Sequence, residues 1–185
     1  MKHKETSISI VINDLSTTEE RWFAVHTKYK CEKYVVDQLS LKGIGAYVPL
    51  ISKTKRYASR LKTHQVPLIN SHIFVLIKKH DYVRVLQTEY VFSFIKQRRN
   101  LIHIPHDEID ILKMIVGEIE HVETGEITFE QGDEVEIIAG NLTGLKGKLI
   151  ENKGKNKFVV ELNNIGIQLM MTIDKNSLRR LRRMA

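Results

Sequence analysis

Within residues 53–64 the chain carries Lys53, Lys55, Arg56, Arg60, Lys62 and His64, with Tyr57 among them. Cationic side chains at this density attract a phosphate backbone, and a tyrosine between them offers a ring for stacking on a base. The same segment also reads as a charged hairpin tip. Covalent chemistry finds far less support. The eight histidines are scattered and lack the i,i+4 spacing of a helical metal pair, and Cys31 is the only cysteine. No nucleophile motif, phosphate-binding glycine loop or dinucleotide fingerprint appears. Asp107 and Glu108, then Glu118, Glu120 and Glu123, fall on or just beyond one helical segment and read as solvated surface. The residue types therefore point to a binding protein, not an enzyme, with no cofactor and no metal.

Composition agrees. The chain has 185 residues, 42% hydrophobic and 28% charged, enough for one medium domain or two small ones with an ordinary core. With 29 Lys and Arg against 22 Asp and Glu, the formal charge is +7, which favours a polyanionic partner. One cysteine allows no intramolecular disulfide and fits a reducing cytoplasm. No apolar run is long enough to span a membrane, and the short apolar stretch at residues 8–12 is too brief for a signal peptide. Residues 1–20 read as a flexible leader.

The elements that must hold these side chains follow from periodicity. Residues 22–26 form a β-prone run, and residues 30–42 a helix with Cys31, Tyr34, Val35 and Leu39 on one side and Gly43 at its left-handed cap. Strands are expected at 46–51, 71–78 and 91–96, and a short helix at 81–88. A third helix carries Ile109, Leu112, Ile115 or Val116, Ile119 and Val122 in a stripe, with Asp107 and Glu108 favourably placed in its first turn. The order β-α-β-β-α-β-α suggests an α+β sandwich over residues 21–122. Residues 123–129 lose periodicity and read as a linker. Residues 130–185 then offer only short strands, at 135–138, 148–151, 158–162, 167–173 and 177–181, as a small five-stranded barrel requires.

Residues 132–150 read GDEVEIIAGNLTGLKGKLI. Gly140, Gly144 and Gly147 fall where a turn needs positive φ or close backbone approach. This pattern resembles the KOW motif of SH3-like barrels. Upstream, WFAVHT, EKYVVDQL, YVPLI, HIFVLI, YVRVLQT and IPHDEI follow in an order and spacing that resemble the NusG amino-terminal (NGN) domain. The chain is similar to NusG-type transcription elongation factors across all but its leader. Its compactness and basic charge resemble the specialised UpxY and RfaH paralogues.

The resemblance implies a four-stranded antiparallel sheet with flanking helices, then the KOW barrel, in a cytoplasmic monomer with no membrane contact. It implies that Trp22, His26, Ile69, His72, Phe74 and Phe94 line an apolar pocket for the clamp helices of the largest RNA polymerase subunit. The family's aromatic segment is replaced here by Ile69 and His72, which makes that pocket less apolar. It also implies that Lys28, Lys30, Gln38, Lys42, Arg84 and Gln87 face the non-template DNA strand, beside the cluster Lys53, Lys55, Arg56, Arg60 and Lys62. On the barrel, Ile138, Asn141, Leu142, Thr143, Leu145 and Lys146 would meet a small-subunit ribosomal protein or the termination factor Rho. The expected role is antitermination and read-through of long operons, such as those for surface polysaccharide. The alternative is an RNA-binding or ribosome-associated KOW protein that uses Lys146, Lys148, Lys153, Lys155 and the terminal arginines.

Overall fold

The computed structural model describes residues 11–57, 60–118, 122–126, 132–152 and 155–181. The amino-terminal half builds β1 (Arg21–Thr27), α1 (Glu32–Leu41), β2 (Gly45–Tyr47), β3 (Leu50–Tyr57), β4 (Arg60–Pro67), β5 (His72–Ile77), α2 (Tyr82–Leu86), β6 (Val91–Phe94) and α3 (His106–Glu118). Four of its strands form an antiparallel sheet in the order β2-β5-β1-β6, so the central strands are β1 and β5.

Alternation along those two strands divides the core. Phe23 and Val25 of β1, with Ile73, Val75 and Ile77 of β5, pack against Val35 and Leu39 of α1 and Val85 of α2. Trp22, Ala24 and Phe74 belong to the other cluster, with Ile109, Leu112 and Ile115 of α3. Helix α1 ends where the sequence placed its cap. Gly43 has φ +72°, and the Gly43 and Ile44 amides return to the carbonyls of Ser40 and Leu39, which satisfies the last turn.

The segment between β2 and β5 is a hairpin. Its basic residues lie along both strands of a two-stranded antiparallel ribbon, β3 with β4, paired from Leu50↔Pro67 to Tyr57↔Arg60. Val48 and Pro49 separate β2 from β3, so the single strand expected at 46–51 is two.

The carboxy-terminal half is all β: β7 (Val122–Glu126), β8 (Asp133–Ile137), β9 (Lys146–Asn152), β10 (Lys155–Leu162), β11 (Ile167–Met171) and β12 (Leu178–Arg180). They form one antiparallel sheet in the order β12-β8-β9-β10-β11-β7. The expected linker at 123–129 is therefore corrected over 123–126, which belong to β7, paired with β11 from Val122↔Met171 to Glu126↔Ile167; residues 127–129 lie outside the described residues. Val122 stands on this strand and not on the third helix. The β8–β9 turn has Gly140 at φ +80° and Gly144 at φ +91°. At Gly147 an added Cβ would overlap the Val159 carbonyl oxygen, so the neighbouring strand needs glycine there.

The two halves touch. Their buried residues form one cluster that runs from Trp22, Phe74 and α3 to Val135, Leu142, Phe158 and Leu169. Glu108 and Gln97 of the first half bond to Asn163 and Asn164 of the second. The leader is also fastened from residue 11 onward. Asn13 bridges to Leu101, the Ile12 amide bonds to Asn100 Oδ1, and Asp14 holds His103, so the flexible reading fails for 11–16; residues 1–10 lie outside the described residues.

Candidate functional site

The face of the sheet that carries Trp22 and Phe74 runs outward to an open rim. Trp22, Ile69 and Phe74 are buried in the core. The Trp22 indole N–H donates to His106 Nδ1 at 3.2 Å, and Lys113 of α3 lies over both the Trp22 and Tyr47 rings, at 5.7 and 5.9 Å. Tyr47 stands beside Phe74 with ring centroids 6.4 Å apart, and burial pushes its hydroxyl pKa up to about 12. Phe94 is corrected: it pairs with Val25, edges Phe23 and stacks on Tyr82 at 4.5 Å, on the opposite face.

What stays accessible on the first face is an aromatic row. His26 sits 6.1 Å from His72 across β1 and β5, and 5.4 Å from Phe92, which is 59% exposed. Sequence reading missed Phe92 because regular alternation would set it with Phe94. A register shift between His26 and Thr27 breaks the alternation of β6 and brings Phe92 against His26.

Beside this rim, at the end of β1, strained backbone converges. Three of the four non-glycine residues with positive φ among the described residues meet there: Lys30 (65°), Ser71 (59°) and Tyr90 (66°). The Thr27 amide donates to the Ser71 carbonyl, the Lys28 amide to the Tyr90 carbonyl, and the Ser71 amide to Glu32 Oε1. Thr27 Oγ1 is buried without a hydrogen-bond partner. Such strain persists where surrounding structure enforces it, often at functional positions. It presents Lys28 over the Tyr90 ring at 5.0 Å and Lys30 over Tyr29 at 5.3 Å, with Tyr34 packed against Tyr90. The Tyr34 hydroxyl donates to Glu89, which raises its pKa. Nothing in the sequence spacing singled out these three tyrosines.

The rest of the expected nucleic-acid set divides. Lys42 donates to Thr88, and Arg84 pairs with Asp81 and the Lys42 carbonyl, so both hold α1 against α2. Gln38 is half-buried and Gln87 exposed. Lys53, Lys55, Arg56, Arg60 and Lys62 are exposed on the ribbon, and none forms an ion pair with another described residue.

The turn expected to meet a partner is also divided. Ile138, Asn141, Thr143 and Lys146 are exposed, but Leu142 and Leu145 are 6% exposed and join the shared core, which corrects their reading as surface anchors. Glu108 is corrected too. It is buried, and its Oε1 accepts both nitrogens of Asn164. Of the basic residues that an RNA-binding barrel would use, Lys148 pairs with Glu161, Arg179 with Glu136 and Arg180 with Asp133, Lys146 is exposed, and Lys153, the Lys155 side chain, Arg182 and Arg183 lie outside the described residues. Arg179 also holds the Glu136 carboxyl below its usual range. No group of acidic, histidine or cysteine residues suited to a metal occurs among the described residues. No helix among them is long and apolar enough to cross a membrane.

Fold and surface together define an α+β domain with exposed cations, followed by an all-β half. The family model described as NusG, transcription termination factor nusG, matches residues 20–113, and the chain belongs to this family of transcription factors. Among solved structures, one titled "Domain interaction in Thermotoga maritima NusG" is similar with a TM-score of 0.53 at 18% identity, covering 90% of this chain and 100% of that one. Conformation A of an MjSpt4:Spt5 complex matches with a TM-score of 0.30 at 20% identity, over 86% of this chain and 97% of that chain. No curated protein sequence matches.

Proposed function

We propose that the chain is a transcription elongation and antitermination factor of the UpxY/RfaH type, an NGN domain followed by a KOW barrel. It rides on RNA polymerase through the clamp helices and promotes read-through of long operons. The observation that carries this reading is the accessible row of exposed His26 and Phe92 with half-buried His72. It continues the buried Trp22–Phe74 face on a sheet whose other face packs against α1 and α2. A helix pair docks by setting apolar anchors into such a surface. Trp22 and Phe74 are engaged inside the protein, so the rim makes first contact, and deeper burial of the clamp helices competes with the internal packing.

Beside the rim, Lys28, Lys30 and the tyrosine rings suit a single DNA strand, since cations meet phosphates and rings stack on unpaired bases. The exposed part of the β8–β9 turn, Ile138, Asn141, Thr143 and Lys146, is the surface for a ribosomal protein or Rho. Single-round transcription through a terminator tests the function. Added protein should raise read-through, and substituting His26 and Phe92 by Ala should remove the effect. Unchanged termination with saturating protein would refute it.

A further inference from the structure

His26 and His72 lie far apart in the sequence and meet because β1 pairs with β5, which sets the two residues directly opposite each other. At the next rung the Thr27 amide donates to the Ser71 carbonyl. The alternation of an antiparallel ladder therefore makes His26↔His72 a non-hydrogen-bonded pair, the kind whose side chains stand closer together. The ring centroids are 6.1 Å apart, with His26 exposed and His72 half-buried. His72 Nδ1 is 2.6 Å from the Asn70 carbonyl oxygen, which can only accept. Nδ1 must then carry the ring proton of the neutral imidazole, and Nε2 keeps its lone pair. Phe92 packs on the His26 ring at 5.4 Å and limits its swing. The Lys28 ammonium is engaged over the Tyr90 ring, at 5.0 Å.

We infer that His26 and His72 form an exchangeable site for a divalent transition-metal ion of the zinc type. The site belongs to the free chain and does not depend on docking to polymerase. Zinc bonds imidazole nitrogen at about 2.0–2.1 Å in a tetrahedral shell, which sets two ligating nitrogens ~3.4 Å apart. Rings with centroids 6.1 Å apart reach that spacing by turning about their side-chain torsions, while the paired strands stay in place. The Asn70 carbonyl is the outer-shell partner that a ligating histidine needs, since it fixes the tautomer and makes Nε2 more basic. No group of three or more metal ligands occurs among the described residues, so the pair supplies half of the shell and water the rest. Structural zinc is closed in by four protein ligands, and an ion held by two exchanges with solvent. Imidazole suits zinc, nickel and copper, whereas magnesium and calcium take oxygen ligands.

The test titrates zinc chloride into the full chain, freed of metal by a chelator, and reads binding by calorimetry with nitrogen NMR of the imidazoles in parallel. The tightest binding should saturate at one zinc per chain and persist in excess magnesium. H26A and H72Q should each weaken it by at least the ~10–100-fold that loss of an outer-shell partner costs. His26 is exposed, so H26A reads the site without disturbing the core. H80A, which removes an exposed histidine beside Asp81, should leave zinc affinity unchanged. Before zinc is added, the His72 ring should show its proton on Nδ1, and zinc should then shift Nε2 of His26 and His72 together. Absence of zinc uptake, equal loss from H80A, wild-type affinity in H26A, or a shift confined to one ring would overturn the inference.

Discussion

Glu108 Oε1 accepts the backbone amide of Asn164 at 3.1 Å and its side-chain amide at 2.7 Å, tying the first turn of α3 to the β10–β11 turn. A charged acceptor in a buried place contributes more than an exposed one, because its removal leaves two donors without a partner. Glu108→Ala should cost about 1–3 kcal/mol. For a protein of this size each kcal/mol lowers the melting temperature by roughly 2–4 °C, which calorimetry can read. An unchanged melting temperature would mean that the two halves are not coupled through this bond.

The β8–β9 turn separates core from surface within a few residues. Leu142→Ala should destabilise by about 2–5 kcal/mol, as deletion of a buried leucine does. Ile138→Ala, at a residue 45% exposed, should stay within about 0.5 kcal/mol. Denaturant titration of both variants checks this. Equal small effects would return Leu142 to the surface.

Gly147→Ala should cost about 1–3 kcal/mol from overpacking, because the added carbon would also lie 2.7 Å from the Phe158 ring. Chemical shifts should move along β9 and β10 while those of α1 and β5 hold.

Much of this architecture was legible. The alternating β1 and β5 runs, the cap at Gly43 and the glycine turn all follow local rules, and local rules survive translation into structure. What escaped depends on distant partners. Strand β7 has the sequence VETGE, without clear alternation, and exists through pairing with β11. Leu142 and Leu145 sit beside glycines that mark a turn, but the shared core decides their burial. Phe94 and Phe92 exchanged roles because a bulge is invisible in the spacing of VFSF. The ribbon's strands were hidden by their charge, although Thr54 and Thr63 bond across them at 3.0 Å.

The fastened leader carries a pH dependence. Burial pushes the Asp14 carboxyl up, but hydrogen bonds from His103 and the charges of His103 and Arg21 outweigh it and hold its pKa below the usual carboxylate range. A carboxyl lowered in the folded state stabilises the fold above its ordinary pKa, and the contribution fades as pH falls through the lowered value. The strap should therefore stay closed at neutral pH and loosen only in acid below the usual carboxylate range. The Asp14 carboxyl carbon, followed by NMR, should titrate below the usual carboxylate range in the wild type and higher in His103→Ala, which loses the ring's hydrogen bond and charge but keeps the residue-103 amide and Arg21. Identical midpoints would remove His103 from the latch.

Substitution at Phe74 cannot test polymerase docking cleanly, since its side chain is fully buried and a charge there would unfold the sheet. The rim can. The decisive measurement is the affinity of the full chain for a reconstituted RNA polymerase elongation complex, taken with competing NusG and with the His26→Ala/Phe92→Ala variant. The account expects saturable binding that NusG displaces and that the double substitution weakens about ten-fold or more, as loss of central anchors does. Binding that ignores NusG, or that survives loss of both rim residues at wild-type affinity, would contradict docking through this face.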